Sequence, residues 1–504
     1  MHMRAVGINP AIFRAYDIRG IYPDEIDERA AYLIARAFAR QVRVMRGLAP
    51  RLVRRSPRLA EAVGEAQVGE GGSFSEVGES NQKQFHILVS SDARPSSPSL
   101  KEAFLRGLLE EGASVIDAGL TTTPMHAFVV HWIGADGGAM ITASHNPANF
   151  NGVKLIGPRG AIGEGSGMEE VAQMATRGIF EEGGQKGSVR EENFLPAYIS
   201  FFVDYFSALR EPHAFGERPL RIALDSGDGM TGILLSPLFG QFPSLEPIIV
   251  HEGIDMSFPH HEANPIKQET LRDLQEAVTK NQCDLGAAFD GDGDRLGVIN
   301  EKSEILPPDL LTALFAREAV KQRQGSTIIF DEARTSRVVR EEVEWYGGRA
   351  VACRIGHTFF KNCMRKENAV FGGELSGHYY FQDFFFVDSA IFALFSLLRI
   401  LHKERKSLHE LTAPLFRYAK PSEINFKLKE GTNKDMAIDY IASCFADGSI
   451  SYPDGIKVLY RDWWFNVRPS NTEPLIRLNI EADTKELLEA KKRIVLECIK
   501  KYTI

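Results

Sequence analysis

"DLGAAFDGDGDRLGVIN", residues 284–300, decides the fold class. Its flanks, "LGAAF" and "LGVIN", have the length and composition of short buried strands rather than helices. Between them Asp290, Asp292 and Asp294 alternate with glycines. Three carboxylates can then converge on one hard cation while the backbone bends tightly around it. A plain polar turn is the alternative reading, but clustered carboxylates repel one another unless positive charge sits among them. A helix–loop–helix calcium site is excluded. Glu301 does fall at the twelfth position of such a loop, yet Arg295 occupies the sixth, where glycine is needed.

The strand–loop reading extends in both directions. Upstream, "HILVS" (86–90), "SVIDA" (114–118) and "GAMIT" (138–142) read as strands, and "PMHAFVVHW" as a helix. The segment "SPSLKEAFLRGLLEEGA" reads as a helix with Ser97 as its cap, Pro98 in the first turn and Gly112 as its stop. The alternation restarts at "PLRIALDS" (219–226) and again at "STIIFDEA" (326–333), "GRAVACRIG" and "AVFGGE". Strands alternating with helices predict an α/β architecture with mixed or parallel sheets. From about residue 416 the pattern changes to "SEINFKLK", "GIKVLYRDWWFNVRPS" and "PLIRLNIEAD" followed by one helix, a small α+β domain. Three related α/β domains and a C-terminal α+β domain are therefore expected, with boundaries 1–190, 191–303, 304–415 and 416–504. Residues 55–84, rich in Gly, Ser and Glu, read as a flexible insertion.

A net charge of −8 argues against nucleic acid as the main partner, while leaving room for an anionic small molecule in a local basic pocket. The five cysteines are odd in number and widely spaced, which fits reduced thiols rather than a disulfide frame or a zinc site. "MHMRAVGINP" has no apolar signal-peptide core. The apolar run Ser389–His402 is shorter than the roughly 18 residues of a membrane span. A cytoplasmic protein with no membrane partner is expected. No feature of the sequence specifies an oligomeric state.

Three further stretches carry chemistry. "ITASHNPANFNGVKL" (141–155) sets Ser144 beside His145 behind an apolar strand and returns with Lys154. It is not the G-x-S-x-G elbow of a serine hydrolase, and adjacent Ser and His do not easily share a hydrogen bond. A phosphate carrier fits better, with Ser144 esterified and the metal of the three aspartates neutralising the ester. "RPSNTEP" (468–474) combines the Arg468 fork with donors on Ser470, Asn471 and Thr472, suiting either a phosphate or an ordinary hairpin turn. "GGELSGHYYF" (372–381) puts Glu374, Ser376 and His378 on one side if extended, as sugar hydroxyls would require. "DSGDGM" (225–230) and "FPHHEANP" (258–265) read as structural loops, with His260 and His261 pointing opposite ways.

Together "FRAYDIRG" (13–20), "TASHNPANFNGVKL" (142–155), "DGDGDR" (290–295), "GELSGH" (373–378) and "RPSNTEP" (468–474) resemble the α-D-phosphohexomutase superfamily, in its phosphomannomutase/phosphoglucomutase branch. The motifs occur in the family's order over essentially the whole chain. The resemblance implies four domains around a central cleft, and a magnesium-dependent isomerase of carbohydrate metabolism acting on sugar phosphates. It implies interconversion of hexose 1-phosphate and hexose 6-phosphate, of glucose and/or mannose, through phospho-Ser144 and a glucose 1,6-bisphosphate intermediate. Ser144, Asp290, Asp292 and Asp294 match its Mg²⁺ site. Arg19, His145, Lys154, Arg295 and His357 match catalytic positions, with Tyr16 lining the reaction centre. Glu374, Ser376 and His378 match the sugar-reading loop, and Arg468, Ser470, Asn471 and Thr472 the phosphate loop. The family's usual Gly-Arg-Asp reads "SSD" at 90–92, taken as structural. Where relatives often carry lysine in the third domain, this chain has Ala333 beside Arg334, and Arg354 before His357. The alternatives are a phosphoglucosamine mutase, which tends to carry Gln where Leu375 sits, a metal-dependent phosphatase, and a non-catalytic sugar-phosphate-binding protein.

Overall fold

The computed structural model of the protein describes residues 8–48, 85–181, 185–470 and 475–504. The insertion expected at 55–84, and Asn471 and Thr472, lie outside the described residues. The chain divides into two compact units. One comprises the residues up to Leu306 together with Gly377–Leu408; the other comprises Pro307–Ser376 and His409–Ile504.

The first unit holds two mixed sheets, so the alternation in the sequence does correspond to an α/β fold. In one, Ile18–Ile21, Phe150–Gly157, Gly137–Ile141, His86–Ser91, Ser114–Leu120 and Ser188–Glu191 lie side by side in that order. The last four run parallel, and the two nearest the first edge pair antiparallel. The second sheet orders Ile305–Leu306, Leu296–Asn300, Leu285–Phe289, Leu220–Asp225 and Leu245–Val250. Leu285–Phe289 and Leu296–Asn300 form an antiparallel hairpin whose turn is the acidic loop. Both strands are wholly buried, as their near-continuous apolar runs require.

Residues 377–408 join this unit through aromatic packing. Phe384 stacks on Phe128 at 5.4 Å, and Phe392 and Phe395 pack on Phe202 and Phe206. The helix Ala390–Glu404 and the helix Leu195–Tyr205 thus share one core. Phe384 is fully buried, as core packing rather than base or sugar stacking demands.

In the second unit Thr327–Asp331 lies between Arg349–Cys353 and Phe371–Gly373, all parallel. A separate antiparallel sheet orders Ile424–Lys427, Leu475–Ala482, Trp463–Pro469, Ile456–Leu459 and Ser449–Ser451. The stretch read as one strand, "GIKVLYRDWWFNVRPS", is a tight hairpin of two, reversing through Tyr460–Asp462. The helices Glu28–Leu48 and Lys434–Cys444 are additions to the expected pattern. Among the described residues no helix is long and apolar enough to cross a membrane.

Candidate functional site

Ser144 follows the central strand Gly137–Ile141 and has a φ of 54°, a left-handed conformation uncommon for a non-glycine residue. Adjacent Ser and His do not easily share a hydrogen bond, yet here Ser144 Oγ lies 3.2 Å from His145 Nδ1. The same Oγ donates to Asp290 Oδ2 at 3.2 Å. The serine is buried, and its N–H donates to Thr142 Oγ1.

The loop is held from beneath by a residue that motif reading misses. Arg94 is fully buried, and one guanidinium nitrogen donates to the carbonyls of Ser144 and Asn146, both at 2.7 Å. The other donates to Pro147 O and Phe150 O, while Nε rests on Asp92 Oδ2 at 3.1 Å. Burial pulls the Arg94 pKa below its usual value and the Asp92 charge opposes that shift. The "SSD" segment is thus structural, in that Asp92 anchors the arginine. Asp92 also accepts from Ser97 Oγ, so Ser97 is not the cap and the helix starts one residue earlier, after Ser96. From the other side Arg19 donates to Asn146 Oδ1 at 2.7 Å and pairs with Asp17. Tyr16 lies half-buried in the same N-terminal segment.

The acidic loop meets the serine loop backbone to backbone. A Cβ on Gly291 would come within 2.7 Å of Ser144 O, so only glycine allows this approach. Asp290 Oδ1 accepts the N–H groups of Asp294 and Arg295, which leaves Oδ2 facing Ser144. Arg295 Nε lies 3.8 Å from that oxygen. Asp292 Oδ2 accepts from Thr123 Oγ1 at 2.5 Å and Lys154 Nζ at 2.6 Å. Asp294 takes Lys154 on one oxygen at 2.7 Å and His378 Nε2 on the other at 3.1 Å.

One oxygen of each aspartate lies within 4.8 Å of the others, and Asp292 Oδ1 is buried with no hydrogen-bond partner. Burial, then Asp294 and Asp292, push the Asp290 pKa well above the carboxylate range. Against the cost of burial, Lys154 and His378 hold Asp294 well below it. Lys154 and Arg295 do not offset three buried carboxylates. An all-oxygen set with an orphaned oxygen and excess negative charge fits a hard divalent cation.

Burial would depress the Lys154 ammonium, but Asp292 and Asp294 override it and raise its pKa above the ordinary lysine value. His145 moves the other way: burial, with Arg295 and Arg19 nearby, drives its pKa well down. It is neutral at pH 7.

His378 departs from the alternation expected of "GGELSGHYYF". Gly377 has a φ of 81°, which turns the chain and sends His378 to Asp294 in the first unit. Glu374 and Ser376 belong to the second unit, where Ser376 Oγ lies 3.4 Å from Glu374 Oε2.

In that second unit Glu374 is buried and Gly356 N–H donates to it at 3.4 Å, next to His357, which opens the helix His357–Glu367. Arg334 Nη2 comes within 3.8 Å of Glu374, and the same guanidinium donates to Asp331 at 2.5 Å. Arg334 thus places a cation beside Glu374, while Ala333 is buried in the core. Arg354 places its guanidinium over the Phe359 ring. Arg468 meets Glu423 at 3.3 Å and Asp454 at 3.5 Å; Arg477 also reaches Glu423 at 3.3 Å. Ser470 N–H donates to Leu475 O, and its carbonyl accepts from Lys434 Nζ at 2.5 Å. No motif announces Glu423 or Lys434, because their partners come from distant strands.

Three sheets with parallel strands, a C-terminal antiparallel sheet and a buried serine beside three carboxylates form a set suited to phosphoryl chemistry. Family models describe the same set. Phosphoglucomutase/phosphomannomutase domain I matches residues 67–202, domain II 197–303, domain III 307–418 and the C-terminal domain 423–497. A phosphomannomutase of Methanocaldococcus jannaschii is 34% identical, over 97% of this chain and 98% of its own. A phosphomannomutase/phosphoglucomutase of Pseudomonas aeruginosa is 31% identical, over 97% and 96%. A crystal structure of a family member from Burkholderia thailandensis superposes with a TM-score of 0.79 at 28% identity, covering 98% of each chain. The chain belongs to the phosphoglucomutase/phosphomannomutase family, and its relatives are enzymes.

Proposed function

We propose that the protein interconverts hexose 1-phosphate and hexose 6-phosphate, of glucose and/or mannose, with Ser144 as phosphate carrier. The observation that carries this reading is the left-handed, buried Ser144 with its Oγ on Asp290. In the forward direction the 6-hydroxyl of a hexose 1-phosphate attacks phospho-Ser144. The P–Oγ bond breaks as the P–O6 bond forms and the hydroxyl proton ends on Ser144 Oγ, giving a 1,6-bisphosphate. After the sugar reorients, Ser144 Oγ attacks the 1-phosphate, the P–O1 bond breaks as the P–Oγ bond forms, and O1 leaves as the protonated hydroxyl of hexose 6-phosphate.

His145, neutral and 3.2 Å from Oγ, is placed to take the serine proton in that second transfer. Lys154, held charged by two aspartates, acts as a fixed cation rather than a base. Arg19 and Arg295 flank the same centre, and Asp290, Asp292 and Asp294 would hold Mg²⁺. That ion, when bound, neutralises charge on the transferring phosphoryl group. Glu374 and Ser376, with Tyr16, His357 and His378, are assigned to the sugar, and Arg468, Ser470, Asn471 and Thr472 to its non-reacting phosphate. The segments 1–190, 191–303, 304–415 and 416–504 are proposed as domains I to IV.

Coupled assays with glucose, mannose and glucosamine 1-phosphates, each with Mg²⁺ and glucose 1,6-bisphosphate, test the assignment. Turnover of the glucose or mannose ester is expected to exceed that of glucosamine 1-phosphate. Turnover of none would sink the mutase reading, and release of inorganic phosphate alone would favour a phosphatase.

A further inference from the structure

Two motifs unused by the mutase chemistry, "DSGDGM" and "FPHHEANP", come together on the first unit. Asp225 ends the strand Leu220–Asp225, and Asp228 lies in the turn after it. His251 follows the neighbouring strand Leu245–Val250, and His260 and His261 arrive from the long loop beyond. The two histidines do diverge, as extended chain requires, but each diverges onto a carboxylate. His260 Nδ1 lies 2.8 Å from Asp228 Oδ2, and His261 Nε2 lies 3.0 Å from Asp225 Oδ2. Asp225 is fully buried and Asp228 nearly so.

His251 stands between the two pairs. Its ring stacks on His260 at 4.0 Å between centroids, and Nε2 is 2.9 Å from Asp273. Ligand atoms of Asp225, His251 and His261 lie within 4.8 Å of one another, and so do those of Asp228, His251 and His260.

The hydrogen bonding of His261 needs something more than a neutral ring. Nδ1 lies 3.0 Å from Glu262 O, which can only accept, so Nδ1 carries the hydrogen. A neutral imidazole then points the Nε2 lone pair at the Asp225 carboxylate, acceptor against acceptor. Nε2 therefore either carries a second hydrogen, as in an imidazolium–carboxylate pair, or shares a cation with Asp225. Two triads sharing His251, each of two imidazoles and one buried carboxylate, offer the mixed nitrogen–oxygen donor set that borderline divalent ions prefer, unlike the all-oxygen acidic loop.

We propose that Asp225, Asp228, His251, His260 and His261 form a second divalent-metal site, one for ions such as Zn²⁺ or Co²⁺. The site lies directly behind the acidic loop. The turn carrying Asp228 continues to Met230, whose N–H donates to Gly291 O at 2.9 Å. An ion here braces the peptide between Asp290 and Asp292 without touching substrate.

The test is Co²⁺ binding to the full chain with Mg²⁺ in large excess, read by visible ligand-field absorption and by metal stoichiometry. The expected result is one tightly held Co²⁺ per chain with the bands of a nitrogen-containing site. Asp290→Asn should retain it, and His251→Asn should weaken it by about tenfold or more. Asparagine tolerates the left-handed backbone of His251 (φ 50°), and an unchanged melting temperature for His251→Asn would confirm that the fold survives. His260→Gln gives a second, independent variant with the same expected direction. No retained Co²⁺, Co²⁺ lost with Asp290→Asn, or affinity unchanged in both histidine variants would overturn the site and leave a protonated His261–Asp225 pair in its place. None of these outcomes depends on mutase turnover.

Discussion

At the scale of single residues the proposed reaction rests on where Ser144 Oγ is held. Arg94 fixes that position by gathering four loop carbonyls onto one guanidinium. A lysine is a point charge on a flexible stem and cannot reproduce the fork. Arg94→Lys should therefore lower kcat by roughly 10²-fold while leaving KM within a few-fold, because displacement of a reacting atom by about 1 Å costs about that much. Steady-state kinetics beside single-turnover phosphorylation of Ser144 checks it; wild-type kcat in a folded Arg94→Lys protein would remove Arg94 from the positioning role.

The acidic loop makes a separate prediction. Mg²⁺ should raise the urea midpoint of the wild-type protein, since a ligand that binds only the folded state stabilises it by mass action. Asp292→Asn, which takes a charge from the set, should abolish most of that increment. Equal Mg²⁺ stabilisation of both proteins would place the ion elsewhere. Ser144, the three aspartates and Lys154 are legible in the sequence because their spacing itself carries the chemistry. Arg94 is not, because its partners are backbone carbonyls that no residue type advertises.

Among elements, strands were easier to read than the turns that aim side chains. Leu285–Phe289 and Leu296–Asn300 follow from continuous apolar runs. By contrast, Gly377 turns His378 away from the direction alternation predicts, and the hairpin at 460–462 lacks the glycine that would mark it. The helix after Ser96 starts early because a tertiary contact, Ser97 to Asp92, competes with local capping.

Strand pairing also builds the charge cluster of the second unit, where Glu423 meets Arg468, Arg477 and Asn479. Burial would raise the Glu423 pKa, but Arg468 and Arg334 outweigh it and lower the value below the ordinary 4.5. A depressed carboxylate contributes stability that is present above its unfolded pKa and is lost as pH falls through the lower folded value. Glu423→Gln should thus destabilise by roughly 1–3 kcal/mol at pH 7. The difference from wild type should shrink as pH drops below about 4.5. Denaturant titrations of both proteins at pH 7 and in that acid range check the sign, and a constant difference would contradict it.

Over the whole molecule, family membership and four matched family domains account for a chain of this length better than any single motif. The two units divide the candidate residues unevenly. The serine loop, the acidic loop and His378 lie in the first, while Glu374, Ser376, Arg334, Arg468 and Ser470 lie in the second. Strand–helix cycles lead to three α/β parts and a C-terminal α+β part, and the structure has sheets at each of those stretches. The cycles cannot show that residues 377–408 pack with the first unit, because that allegiance is written in the contacts of Phe384, Phe392 and Phe395 rather than in chain order.

The chemistry assigned to Ser144 is tested most directly by following the phosphate. Protein incubated with labelled glucose 1,6-bisphosphate, quenched and mapped by peptide mass spectrometry should carry label on Ser144. A chase with unlabelled hexose 1-phosphate should move that label to the sugar. Label on another residue, or full turnover by Ser144→Ala, would contradict the serine-carrier mechanism.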